Sequence, residues 1–306
     1  MPNYQKVTPK AVFQLAGPNT WLPASIIPVF FAGILALRQE AFSASMFYIL
    51  LCAALLMQSA VNSLNDYYDF IRGTDSIENT PENDDTVLVL NSFDPAKARL
   101  IGIGFLLAAL ALGVYVVVKT NYIPLIIGII GTVTVIAYSA GPHPLSYMPL
   151  GEFTSGVVMG ILLPMAVYAA LAGEMAWRLL YYCLPLTMGI AMVMMTNNTC
   201  DIERDSAAGR KTLPILLGRK SAASLHHILM AAWMLLIAVI LFGHFNAGLF
   251  VLPLGLIGGG ATIIKICTAT FYPPNRGQHM LDIYKANLWI NGTYTLCVLV
   301  GLLRAL

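Results

Sequence analysis

Two clusters of carboxylates and carboxamides carry the chemistry that can be read directly from this chain. The first runs Asn65-Asp66-Tyr67-Tyr68-Asp69-Phe70-Ile71-Arg72-Gly73-Thr74-Asp75. The second runs Asn197-Asn198-Thr199-Cys200-Asp201-Ile202-Glu203-Arg204-Asp205, with Gly209-Arg210-Lys211 just beyond it. Both contain Asn-x-x-x-Asp, as Asn65/Asp69 and as Asn197/Asp201. Only 10% of the residues are charged, so acids gathered beside apolar stretches need a compensating cation. Asp201 and Asp205 are four apart, which on a helix stacks them on one face about 5–6 Å apart. Carboxylates that close repel, and desolvation near a membrane adds to the cost. Mg²⁺ relieves both, because it takes hard oxygen ligands from one or two carboxylates, waters and substrate phosphates. Asp69 and Asp75 are six apart with Gly73 between them, and a helix that loosens there brings both toward one centre. Asp66 either shares the face of Asp69 or caps and solvates the helix. Arg72, Arg210 and Lys211 flank the clusters, and a metal with Arg or Lys is the usual partner of a diphosphate. Arg204 is read as an ordinary inner-surface charge, paired loosely with nearby acids.

The elements that must position these groups are membrane-length. Hydrophobic residues make up 58% of the chain and mean hydropathy is +0.74, far above soluble usage. Apolar runs near 20–38, 44–64, 98–118, 121–140, 152–172, 177–197, 222–243, 247–268 and 283–303 approach the roughly 20 residues that cross a bilayer as helix. They are too continuous for the alternating strands of a barrel. The expectation is one polytopic all-α unit over residues 1–306, with a short cytoplasmic N-terminal segment over about 1–18. The first ten residues are polar and the run after them is long enough to span, so no cleavable signal peptide is expected. Pro28, Pro124, Pro164, Pro185 and Pro253 either kink helices around a cavity or are the ordinary proline content of membrane helices. With the N-terminus cytoplasmic, every one of the 17 basic residues except Arg38, Lys119, Arg178 and Arg304 falls inside, a strong positive-inside bias. Both acidic clusters then end inward-running spans, the second and the sixth. A step of four helices resembles a weak parallel repeat. A net charge of +2 with no basic run excludes nucleic acid as a partner. Cys52, Cys183, Cys267 and Cys297 lie inside apolar stretches, and with Cys200 they show neither metal-ligand spacing nor a disulfide framework.

Asn65-Asp66-x-x-Asp69-x-x-x-x-x-Asp75, taken with Asp201-x-x-x-Asp205-x-x-x-Gly209-Arg210-Lys211-Thr212-Leu213-Pro214, resembles the UbiA-type membrane prenyltransferases. The five-residue gap between Asp69 and Asp75 is similar to the menaquinone branch, whose members are 1,4-dihydroxy-2-naphthoate polyprenyltransferases. Thr20-Trp21-Leu22-Pro23-Ala24-Ser25-Ile26-Ile27-Pro28, Tyr138-Ser139-Ala140-Gly141-Pro142 and Leu150-Gly151-Glu152 agree with it. The resemblance implies nine transmembrane helices around a central lipid-accessible cavity, in a bacterial cell membrane, with the site cytoplasmic. It implies transfer of a polyprenyl chain from an allylic diphosphate to an aromatic acceptor, 1,4-dihydroxy-2-naphthoate, in menaquinone biosynthesis.

In that scheme Asp69, Asp75, Asp201 and Asp205 hold two Mg²⁺ ions and Asn65 adds a neutral oxygen. Arg72, Arg210 and Lys211 meet the departing diphosphate. Tyr138, Tyr67 and Tyr68 offer aromatic faces to an allylic cation, and the isoprenoid tail leaves between helices into membrane lipid. Glu152 and His143 are acceptor contacts, against the plainer readings of a helix N-terminal carboxylate and a loop histidine. His226 and His227 are expected to be interfacial. Cys200 and Ser146 stand where relatives often carry basic residues, and residues 78–87 are acidic where many carry Arg and Gly. The competing acceptors are another quinone precursor, a glycerol-phosphate lipid or haem. The competing class is a cation or lipid transporter, which would place its ionisable groups near the bilayer midplane.

Overall fold

The computed structural model describes residues 4–76, 87–90 and 92–304, and among these residues every regular element is helical. The long elements are α1 (Pro18–Ala36), α2 (Ala44–Ile71), α3 (Pro95–Lys119), α4 (Ile123–Ser139), α5 (Gly151–Ala172), α6 (Leu184–Cys200), α7 (Arg219–His244), α8 (Asn246–Cys267) and α9 (Pro273–Arg304). Seven of them are long and apolar enough to cross a membrane. The other two, α4 and α6, have 17 residues each and reach only about 26 Å against a hydrocarbon core of about 30 Å. They occupy the places expected for the fourth and sixth spans. The acidic residues 78–86 lie outside the described residues, and Val87 opens a short helix, Val87–Leu90.

Local chemistry sets the helix ends. The Ser43 hydroxyl accepts from the Met46 N–H at the start of α2, and the Asp94 carboxylate accepts from Ala96 N–H before α3, each satisfying an orphan donor. Pro124 and Pro185 occupy first turns, where a missing N–H costs nothing. Pro28 and Pro164 instead follow single π-helical turns, Leu22–Ile26 and Val158–Leu162. These turns interrupt the α ladder just where a proline would break it.

The helices form a ring. Neighbours in sequence pack on one another, and α1 closes the circle by touching α2, α5 and α9. Phe31, Tyr168, Leu171, Leu186, Trp233 and Tyr294 fill the main core. The large exposed apolar side chains include Leu107, Val118, Ile129, Val133, Phe242 and Ile257, far more than a soluble surface carries. A buried polar chain fixes α6 against α7 and α9: Trp233 Nε1 donates to Asn291 Oδ1 (2.9 Å), Asn291 to Asn287 (3.2 Å), and Asn287 to the Gly189 carbonyl (3.0 Å). Interhelical bonds of this kind hold membrane helices together where no hydrophobic driving force separates them from lipid. Helix α2, with 28 residues, is about 42 Å long. That exceeds a hydrocarbon core of about 30 Å, and Asn65 and Asp69 lie in its last two turns.

Candidate active site

Both acidic clusters are built on the same chain reversal. Helix α2 ends with Arg72 as its C-cap and Gly73 in the left-handed region at φ +76°. Gly73 N–H returns to the Phe70 carbonyl (3.1 Å) and Thr74 N–H to the Asp69 carbonyl (3.0 Å). A short helix, Ile202–Ala207, ends identically: Gly209 has φ +76°, its N–H returns to Ser206 (3.0 Å), and Arg210 N–H returns to Asp205 (2.9 Å). These are the paired bonds of a Schellman motif. In the first cluster the reversal brings Asp75 back, its N–H 3.3 Å from the Asp69 carbonyl. In the second it turns the Arg210 side chain back over Asp205.

Four aspartates and three arginines then interlock. The Arg210 guanidinium bonds Asp69 through one nitrogen and Asp205 Oδ1 through the other (3.2 Å). Arg204 bonds Asp201 (2.7 Å) and reaches Asp75 at 3.7 Å. Arg276, at the start of α9, lies 3.0 Å from Asp201 and donates to Asn197 Oδ1 (2.6 Å). All four aspartates are buried. Burial pushes the Asp205 carboxyl up to about 6, against the nearby Arg210 charge and with help from Asp201. Burial also works against the Arg210 charge, but Asp69 and Asp205 more than offset it and raise its pKa above the ordinary arginine value.

This network sits at the mouth of a cavity of about 250 Å³ inside the ring. Asn65, Asp66, Asp69, Asp75, Asn197, Arg204, Arg210 and Arg276 line the polar part. Met57, Val61, Val135, Ile190, Val193 and Met194 line the apolar part, together with residues of both π turns, Pro23, Ala24, Val158 and Met159.

The remaining expected residues divide. Asn65 Nδ2 donates to Asp69 Oδ2 (2.9 Å), and Tyr138 faces the cavity with its hydroxyl 3.9 Å from the Met194 sulfur. Glu152 is buried, with Oε1 accepting from Asn198 Nδ2 (2.8 Å) and Oε2 unpartnered among the described residues. Arg72 turns to the end of α4, donating to the carbonyls of Ser139 (2.6 Å) and Gly141 (2.9 Å). Tyr67 and Tyr68 pack on each other and under Arg99 and Arg72, respectively. Lys211 and His143 are exposed, and Lys211 engages through its backbone N–H to the Tyr147 carbonyl (2.9 Å). Cys200 and Ser146 are buried, and the positive charge beside Asp201 comes from Arg204 and Arg276.

The structure adds Arg276 and Tyr147 to the site, neither of which carries a local sequence signal. The Tyr147 ring lies 4.8 Å from Arg210 and 5.2 Å from Arg72, and its hydroxyl meets Thr74 at 2.9 Å. It ties the loop after α4 to both clusters. Arg204, read as a surface charge, is a largely covered bridge between them, with a side chain only 14% exposed.

The model of the UbiA prenyltransferase family matches residues 25–278. The chain belongs to this family. It is 30% identical over 246 residues to the 1,4-dihydroxy-2-naphthoate octaprenyltransferase of Bacillus subtilis (strain 168), covering 80% of this chain and 78% of that protein. It is 27% identical over 220 residues to the UbiA prenyltransferase domain-containing protein 1 homolog of Drosophila melanogaster, covering 69% of this chain and 59% of that one. A UbiA homolog from Archaeoglobus fulgidus bound to GPP and Mg²⁺ superposes with a TM-score of 0.63 at 16% identity, over 94% of this chain and 99% of that one. The apo UbiA homolog from Aeropyrum pernix K1 gives 0.64 at 16% identity, over 94% and 98%. This UbiA-family prenyltransferase is accordingly an integral membrane protein with the family's fold.

The UbiA family implies a divalent metal, and the donor set can be tested for it. Among the described residues no three His, Cys, Asp or Glu side chains converge on one ion position. The acids instead hold guanidiniums. The donors nevertheless suit a hard cation: four carboxylates and two carboxamides, all oxygen. Asp205 Oδ2 is buried with no hydrogen-bond partner among the described residues, a lone pair left for a ligand the protein itself does not supply. The residues fit Mg²⁺, provided that it exchanges with arginine.

Proposed function

We propose that this chain transfers a polyprenyl group from an allylic diphosphate to 1,4-dihydroxy-2-naphthoate, the aromatic acceptor of menaquinone synthesis, at the cytoplasmic face of a bacterial cell membrane. The observation that carries the reading is Arg210 joined to both Asp69 and Asp205, at the mouth of a cavity whose inner wall is apolar. Charge for a diphosphate thus adjoins a dry compartment for its chain. The Bacillus relative supports the choice of acceptor.

Asp69, Asp75, Asp201 and Asp205, with the Asn65 and Asn197 carboxamides, would hold two Mg²⁺ ions, which when bound neutralise the diphosphate oxygens and lower the cost of their departure. Arg210 binds the diphosphate from the side of the second cluster. The C1–O bond of the prenyl diphosphate breaks with its electron pair leaving on diphosphate. The allylic cation faces the Tyr138 ring, and a cation–π contact there contributes about 1–2 kcal/mol. Met57, Val61, Val135 and Val193 keep water away from it. A ring carbon of the acceptor supplies the pair for the new C–C bond. That carbon then releases its proton, or carbon dioxide where it bore the carboxylate. Glu152 Oε2 accepts a hydrogen bond from an acceptor hydroxyl.

The test incubates purified protein with farnesyl diphosphate, Mg²⁺ and a panel of aromatic acceptors, and follows diphosphate release and product mass. The expected product is a prenylated naphthoquinol, lost in folded Asp69→Ala and Asp201→Ala variants. Prenylation of a different ring only would overturn the acceptor. Absence of diphosphate release with every acceptor would overturn the enzyme reading.

A further inference from the structure

The two Asn-x-x-x-Asp pairs are satisfied in different ways. In the first, Asn65 bonds Asp69 directly at 2.9 Å. In the second, a guanidinium stands between the members: Arg276 takes Asn197 Oδ1 at 2.6 Å and the Asp201 carboxylate at 3.0 Å. Both acceptors are hard oxygens, one neutral and one anionic, and both are donors that a divalent cation would use. Asp201 also holds Arg204 at 2.7 Å. Asp201 therefore meets two guanidiniums: Arg204, which it shares with Asp75, and Arg276, which it shares with Asn197. Arg276 comes from the first turn of α9, far from either cluster in sequence, and its side chain lines the central cavity and is 12% exposed.

We propose that Arg276 is a place-holder for the divalent cation at Asn197 and Asp201, and that it passes to the diphosphate when the cation enters. The long arginine stem lets the head group turn from the cluster into the cavity while its Cα stays on α9. A guanidinium offers a diphosphate the planar, bidentate donors that phosphate oxygens favour. The exchange keeps the carboxylates neutralised before substrate arrives, and it delivers a fresh positive charge once metal has taken them. The proposal rests only on the metal–diphosphate half of the proposed function and is independent of the acceptor.

The role has a signature that a structural ion pair would not give. Removing a competing cation should strengthen metal binding, and removing a diphosphate ligand should weaken diphosphate binding. Mn²⁺ titrated calorimetrically into detergent-solubilised Arg276→Gln, without diphosphate, is expected to bind roughly tenfold tighter than to the parent protein, the worth of one charge-assisted hydrogen bond. Inorganic diphosphate titrated at saturating Mn²⁺ is expected to bind roughly tenfold more weakly. Arg276→Lys, which keeps the charge but loses the two-pronged contact, should fall between on both axes and serves if the glutamine variant does not fold. Weaker Mn²⁺ binding in either variant, or unchanged affinity for both ligands, would overturn the proposal. Parent protein that binds Mn²⁺ and diphosphate as expected but prenylates no naphthoate would overturn the acceptor assignment and leave this one standing.

Discussion

Gly73 and Gly209 close their helices in the same way, each four residues after a site aspartate and each at φ +76°. The reversal turns Asp75 back beside Asp69 in one cluster and Arg210 back over Asp205 in the other. An added Cβ would meet no atom within 4 Å at either glycine, so only the backbone conformation excludes a side chain. A left-handed residue other than glycine costs about 1–2 kcal/mol, and asparagine bears it best. Gly73→Ala and Gly209→Ala should each lower the thermal midpoint in detergent, and the matching Asn variants should lower it less. Equal midpoints for Ala and Asn would place the constraint elsewhere.

Arg210 is the cation that most firmly joins the clusters, with a side chain only 7% exposed. Arg210→Met leaves Asp69 and Asp205 buried without it, a loss of about 3–5 kcal/mol for a broken buried pair. Divalent cations should restore part of that loss, because they neutralise the same carboxylates. Thermal scans with and without Mg²⁺ check this: the metal-dependent gain should be larger in the variant than in the parent protein. A gain of the same size in both would mean that metal and Arg210 do not share ligands.

Asp205 gives the metal-free protein a pH dependence with a definite sign. Its carboxyl is raised from an ordinary 3.8 to about 6, chiefly by burial. The folded state therefore binds a proton that the unfolded chain has released between about pH 4 and 6. The contribution of this group to stability is complete below pH 4 and is lost as pH rises through 6. A metal bound at Asp205 must displace that proton. Mg²⁺ affinity should fall as pH drops below 6, and binding at pH 5.5 should release protons, seen as a dependence of calorimetric heat on buffer ionisation enthalpy. Heats independent of buffer would separate Asp205 from the metal.

How far the sequence carried the site follows from the reach of each interaction. Asp69, Asp75, Asp201 and Asp205 stand out because acids are scarce in so apolar a chain, and the turn at Gly73 is a local signal. The pairing Asp-x-x-x-Gly, at Asp69/Gly73 and Asp205/Gly209, is equally visible in the sequence. It aligns the clusters in a register different from that of Asn-x-x-x-Asp. Arg72 adjoins the first cluster in sequence, yet its position three residues after Asp69 aims it at the carbonyls ending α4. Arg276 reads as one of many inner-side bases. Only the packing of α9 on α6 brings it to Asp201, 75 residues away. Tyr147 is hidden in the same sense, since its partners Thr74 and Arg210 come from two other segments. The 17-residue length of α6 escapes a hydropathy reading because the apolar residues before it, Leu179–Tyr182, form a separate short helix that a sequence scan merges with it.

Glu152 offers the clearest separation of acceptor from donor chemistry. Its Oε1 is occupied by Asn198 at 2.8 Å, and its Oε2 is buried without a partner among the described residues. An acceptor hydroxyl would satisfy it. Glu152 also lies in the first turn of α5, where a carboxylate gains about 0.3–1 kcal/mol from the helix dipole. Loss of that contribution in Glu152→Gln would change stability slightly and both substrates alike. Loss of a hydrogen bond to a charged group is larger, about 1.5–3 kcal/mol, and would act on one substrate only. Steady-state kinetics should therefore show KM for the naphthoate raised by roughly tenfold or more, with KM for the prenyl diphosphate nearly unchanged. A parallel rise in both would assign Glu152 to the architecture of α5 and leave the acceptor without its anchor.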